Sequence, residues 1–317
     1  MADLVTFGEA LLRLKPEAND RLETASGFTA CVTGPECNVA IAAQRLGTNT
    51  SWLSKLPDTP IGHHVARSIR QHGIDTEIVW TDEGRQGVVY VEQATAPRKA
   101  TRTPDRMGIS IGTLTPDELP QEYVENAACF FVSGVTPGIS DTLAETTARL
   151  LRQAKDAEVK TVFSLDYQQD CWTPEEARET LTEYFSAVDI FIGRERDART
   201  VFDLEGQPAA LAHRIATEYD LETVVLSRGE QGAIALDGTT IHEQKPIHTE
   251  TVDPEGTYDA FCGAFVARHL AGHSFDDAIR YGVATAALAR TIPGAAATIS
   301  LPEVERVLTE QSDANRR

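Results

Sequence analysis

From residue 126 onward the chain alternates between short apolar runs and longer stretches with a three-to-four-residue repeat. The runs "ACFFVSG", "KTVFSL", "VDIFIG" and "TVVLS" predict buried strands. Between them, Leu143, Thr147, Leu150, Leu151 and Ala154 mark one helix face. "PEEARETLTEYF", a stretch through Phe202 and "AALAHRIATEY" predict three more helices. Repeated strand–helix crossovers imply a mostly parallel sheet covered by helices on both faces, an α/β fold in three layers. "GAIALDGTTIHEQ" reads as a hairpin turning at Asp237-Gly238. Residues 256–270 are apolar nearly all round until Arg268, which predicts a buried helix. The next helix buries Phe275, Ala278, Ile279, Val283, Ala286 and Ala287, and the polar tail "EQSDANRR" reads as frayed.

The first part of the chain is less regular. "LVTFGEALL" predicts one strand, "ECNVAIAAQRLG" a helix stopped by Gly47, "TSWLSKL" a strand, and 61–73 a helix ended by Gly73. Two polar segments, 13–33 and 81–113, interrupt this pattern. "GVVYVEQ" and "RKATRT" in the second are candidate partner strands. Isolated two-stranded ribbons are marginal in water, so the two segments are expected to pair as one small four-stranded sheet.

Composition narrows the function. The 317 residues carry a formal net charge of −19, which disfavours nucleic acid as a partner. Lysines are confined to Lys15, Lys55, Lys99, Lys155, Lys160 and Lys245, and an acid-rich, lysine-poor surface suits high salt. No run of eighteen apolar residues predicts a membrane span, and "MADLVTFGEALL" lacks a basic leader. The cysteines Cys31, Cys37, Cys129, Cys171 and Cys262 are odd in number without C-x-x-C spacing. A reducing, cytoplasmic setting is expected.

The candidate chemistry centres on "TVDPEGTYDAFCGAF". A turn with Pro254 and Gly256 opens the apolar helix, whose first N–H groups and dipole attract anions such as phosphate. Asp259 falls in that first turn. It would accept a proton from an attacking hydroxyl if it faces the same pocket. Otherwise it only complements the helix dipole, by about 0.3–1 kcal/mol. Neither G-x-x-x-x-G-K-[ST] nor G-x-G-x-x-G after the first strand occurs, which disfavours P-loop and Rossmann enzymes.

"DPEGTYDAF" and "TGPECNVAIAAQRLG", with "FGEALLRL", "FVSGVTP", "CWTPEEA" and "SRGEQGA", resemble in order the motifs of ribokinase-like (PfkB) carbohydrate kinases. The nearest subgroup is the 2-keto-3-deoxygluconate kinases. The resemblance implies a single domain over 1–317 with a β lid formed by about 11–33 and 82–113. It implies ATP and Mg2+ as cofactors, and phosphorylation of a primary hydroxyl of a sugar acid. Asp259 would be the base, and Gly256, Thr257 and Tyr258 the anion hole. Gly34, Asn38 and Tyr90 would contact the sugar, and Arg106 its carboxylate. Asp166 and Gln168 would also face the substrate. Arg194, Ser227, Arg228, Gly229 and Gly232 would flank the nucleotide. The metal ligands stay unassigned. A lid with one exposed strand face implies a homodimer.

Four positions depart from the resemblance. Tyr258 replaces the third residue of G-A-G-D, at about 1–2 kcal/mol if positive φ is required there. Ser164, Asp166 and Gln168 replace D-x-N-x-R, and Asp166 would repel a carboxylate unless compensated. Gly193 and Arg196 replace N-x-x-E, and Thr33 replaces the first Gly of a G-G pair. Two readings therefore stand: an active sugar or sugar-acid kinase with an altered pocket, or a kinase-fold protein that binds a sugar or nucleotide with little or no transfer.

Overall fold

The computed structural model describes residues 2–17, 20–94 and 97–314. Its main sheet has nine strands in the order β13-β12-β11-β10-β9-β8-β1-β4-β5. They are β1 (Leu4–Phe7), β4 (Thr50–Pro57), β5 (Asp75–Thr81), β8 (Cys129–Ser133), β9 (Lys160–Ser164), β10 (Ile190–Arg194), β11 (Thr223–Ser227), β12 (Ala233–Asp237) and β13 (Thr240–Gln244). All neighbours pair in parallel except the β11–β12–β13 hairpin edge.

Strand alternation builds two cores. Val5, Phe7, Phe130, Val132, Phe191 and Leu226 face one side. There they meet α4 (Asp141–Asp156), α5 (Pro174–Thr182), α6 (Glu195–Phe202) and α7 (Pro208–Tyr219). Leu4, Phe131, Ile190, Ile192 and Val225 face the other side. They meet α1 (Pro35–Arg45), α8 (Thr257–Leu270), α9 (Phe275–Ala289) and α10 (Leu301–Ala314). This is the expected three-layer ribokinase-like α/β fold.

A separate sheet, in the order β3-β2-β6-β7, joins β2 (Leu11–Pro16) and β3 (Phe28–Thr33) with β6 (Val88–Glu92) and β7 (Thr101–Asp105). The two polar segments thus pair through β2 and β6, which run parallel. Residues 18, 19, 95 and 96 of the expected lid ranges lie outside the described residues.

Three local expectations are corrected. "LVTFGEALL" is two strands in two different sheets, parted at Gly8. Strand β5 was not foreseen, because its Asp75-Thr76-Glu77 start is polar. Residues 310–314 of the tail are helical, because Val304 and Leu308 bury one face of α10. Residues 315–317 lie outside the described residues.

Candidate active site

Parallel strands leave a crevice at their carboxyl ends. Arg194 pairs with Ser227 and Ile192 with Ser164, so β9, β10 and β11 reach one edge together. Above that edge lies a cleft of about 780 Å³. In sheet order it runs from Glu9 after β1, through Asp166 and Arg194, to Ser227 and Arg228. The small sheet contributes Leu11 and Arg102, and the start of α8 contributes Gly256 to Asp259.

The start of α8 opens onto the cleft without a side-chain cap. Helices α4, α5 and α9 are capped by Ser140, Thr173 and Ser274, whereas α8, like α1, α6 and α7, has no side-chain cap and begins at Gly256. Gly256 has φ 72°, and a Cβ there would sit 2.0 Å from the Ala295 carbonyl oxygen. The positive φ therefore belongs to Gly256. Tyr258 is helical, so the strain expected of it does not arise.

Asp259 lines the cleft at 8% exposure. Asn38 Nδ2 donates to its Oδ2 at 2.7 Å. Burial, reinforced by the Asp166 charge, raises its pKa; Asn38 and Arg194 oppose this, and the value reaches about 7. Glu36, in the first turn of α1, is fully buried, and its Oε1 accepts from the Ser133 backbone and hydroxyl and from Thr136. Burial outweighs those bonds and pushes its carboxyl up to about 8.

Two contacts tie the small sheet to the anion loop. Arg13 on β2 and Asp253 form a buried pair, with Nη1 to Oδ2 at 3.0 Å and Nη2 to Oδ1 at 3.3 Å. Asp253 also accepts from the Glu255 and Gly294 backbone N–H groups. Arg102 on β7 lies 3.9 Å from Glu255.

Most of the expected site residues converge on the cleft: Asp259, Gly256, Thr257, Tyr258, Gly34, Asp166, Gln168, Arg194, Ser227, Arg228, Gly229 and Gly232. Gly34 is required by space, since a Cβ would approach the Glu9 carbonyl oxygen to 2.2 Å. Three residues do not line it. Asn38 is spent on Asp259 and on Thr33 Oγ1, at 3.3 Å. Tyr90 lies opposite Thr103, whereas Arg102, which lines the cleft, lies opposite Val91; Tyr90 is therefore on the outer face of the small sheet. Arg106 is held by Glu9, with Nη2 to Oε1 at 2.6 Å, and by Asp170 at 2.6 Å.

The sequence reading missed Glu9, Arg102, Glu195, Glu255 and Arg290, and the apolar Ile247, Val283, Ala286 and Ala287 of the nucleotide end. Glu9 carried a signal, since it directly follows the Gly8 that ends β1. The apolar residues carried none beyond core periodicity.

An uncapped helix start, a buried carboxylate beside it and a strand-end crevice come together on a ribokinase-like fold. Residues 1–302 match the pfkB family carbohydrate kinase family, and the chain belongs to it: it is a carbohydrate kinase. It is 47% identical over 307 residues to a protein from Haloferax volcanii named 2-dehydro-3-deoxygalactonokinase, covering 97% of this chain and 96% of that one. It is similar to the solved 2-dehydro-3-deoxygluconokinase of Thermotoga maritima, with TM-score 0.92 and 26% identity over 96% of this chain and 98% of that one. An Escherichia coli structure in complex with ATP and Mg2+ shares the fold, with TM-score 0.89 and 19% identity over 98% of this chain and 100% of the other.

Proposed function

We propose that this kinase transfers the γ-phosphoryl of ATP to a hydroxyl of a 2-dehydro-3-deoxy sugar acid. The observation that carries the reading is Asp259, a buried carboxylate opening into the cleft at the uncapped start of α8. The names of the Haloferax and Thermotoga relatives support the substrate class.

In this reading the acceptor hydroxyl attacks the γ-phosphorus. Its proton passes to Asp259, the new O–P bond forms, and the bond to the β-phosphate oxygen breaks to release ADP. Gly256, Thr257 and Tyr258 present the α8 amide dipoles to the transferring group. Gly34, Asp166 and Gln168 line the acceptor side. Ser227, Arg228, Gly229 and Gly232 line the nucleotide side, where Ile247, Val283, Ala286 and Ala287 offer an apolar bed for the base. The cleft volume and this lining suit a nucleotide. Among the described residues no cluster of three or more His, Cys, Asp or Glu is disposed to hold a metal. Mg2+ would arrive on the nucleotide, held by phosphate oxygens and water.

Arg102 is the small-sheet cation that lines the cleft, so it takes the acceptor carboxylate here. Arg106 serves Glu9 instead. The small sheet acts as a lid that excludes water, within a single domain. Among the described residues no helix is long and apolar enough to cross a membrane. A cytoplasmic enzyme adapted to high salt fits the charge and cysteine content.

The test is a coupled ADP-release screen in concentrated KCl over neutral sugars and both gluco and galacto 2-dehydro-3-deoxy acids. Turnover of the acids alone is the expected result. Measurable nucleotide binding with silence across the panel would favour a binding protein over a kinase.

A further inference from the structure

The sequence departures at Tyr258 and at Ser164 and Asp166, and Arg194 next to the departure at Gly193, come from three distant parts of the chain, yet they meet as one contact set. The Tyr258 hydroxyl and Ser164 Oγ share a hydrogen bond at 2.9 Å, which pins the phenol to the end of β9. The Arg194 guanidinium lies 4.0 Å from the Tyr258 ring centroid, stacked as a cation on its face. Asp166, at 2% exposure and φ 30°, pairs with Arg194 Nη1, which also donates to Asp197 at 3.1 Å. A non-glycine residue in that backbone region is uncommon and persists where its surroundings over-determine it. Here it holds the carboxylate against Arg194.

Both carboxylates are taken by one nitrogen. Among the described residues, Nε and Nη2 of Arg194 have no hydrogen-bond partner, so a fork of N–H donors is left at the cleft wall. That wall adjoins Asp259, the residue after Tyr258. Burial works against the Arg194 charge, but Asp166 and Asp197 outweigh it and raise its pKa, so the side chain stays cationic.

Building on the kinase reading above, we infer that Arg194 is a catalytic residue that contacts the transferring phosphoryl group, with Tyr258, Ser164 and Asp166 as its positioning residues. A guanidinium fork matches phosphoryl oxygens and neutralises charge as the bond to ADP lengthens. The ring beneath it and the Asp166 pair fix its orientation before the nucleotide arrives, which is the condition for stabilising a transition state. Asp166 thus does not stand as a bare charge repelling an anionic acceptor, because Arg194 compensates it.

The test compares equilibrium binding of the β,γ-imido analogue of ATP with that of ADP, for the native chain and for Arg194→Met. The double variant Arg194→Met/Asp166→Asn avoids leaving a buried carboxylate unpaired. Thermal melting confirms that each variant folds. The expected result is an analogue affinity lowered about tenfold or more with ADP affinity changed less than about twofold. Turnover with the acceptor would fall about 10²–10³-fold. Equal weakening of both nucleotides, or none, would overturn the inference. The binding comparison needs no acceptor, so failure of the sugar-acid assignment in the turnover screen leaves it readable.

Discussion

In the proposed reaction Asp259 is the base, and its environment sets a pH window. A base must be deprotonated, so a carboxyl raised to about 7 makes kcat/KM rise as pH climbs through 7. Asp259→Ala should lower turnover by about 10²–10⁴ with ATP binding retained; steady-state kinetics beside a nucleotide titration would check both. Arg102 and Arg106 separate by their partners. Arg102→Ala should lower kcat/KM for sugar acids at least about tenfold more than for neutral sugars, since a charge-assisted pair is lost. Arg106→Ala leaves Glu9 buried and unpaired. It should cost about 3–5 kcal/mol of stability and affect all acceptors alike, as denaturant melts and paired kinetics would read. Glu36 acts on stability. Its native pKa of about 8 means that the folded state holds a proton which the unfolded state has lost. Stability from this group therefore falls as pH rises from about 4.5 to 8. Melting temperatures of Glu36→Gln should fall less steeply over that range than those of the native chain.

At the scale of elements, the strand–helix alternation after residue 126 was legible because buried parallel strands and two-faced helices leave clean periodicities. β5 was not, because an edge strand pairs with β4 alone and can begin with the polar Asp75, Thr76 and Glu77, of which Asp75 is exposed. α10 was hidden by its polar residues, although Val304 and Leu308 are four apart on one buried face. The placing of Gly256 and Asp259 at one helix start was legible because glycine, turn and helix start lie within a few residues of one another. The Arg194, Tyr258, Ser164 and Asp166 set was not. Its members are separated by up to 94 positions, and the ends of β9 and β10 meeting the start of α8 bring them into contact. Taken singly, Tyr258, Ser164 and Asp166 read as departures, and Arg194 as a residue flanking the nucleotide.

At the scale of the whole molecule, the small sheet has two different faces. Leu11, Val89 and Val91 are buried against the body. Leu12, Leu14, Val88 and Tyr90 share the opposite face and are half-exposed. A second copy of this chain laid on that stripe would remove it from water, and the resulting dimer would brace the lid over each cleft. We propose this dimer as the working assembly; Leu14→Glu should then give monomer and lower turnover, as sedimentation at high salt and kinetics would show. A native chain that sediments as monomer would count against this assembly.

The Arg13–Asp253 pair spans 240 positions of sequence. A ribosome working at roughly 5–20 residues per second needs on the order of 12–48 s to bridge that distance. During that interval the early strand has been made and its acidic partner does not yet exist. A product truncated before residue 253 would therefore lack this tether and also the Asp259 end of the cleft.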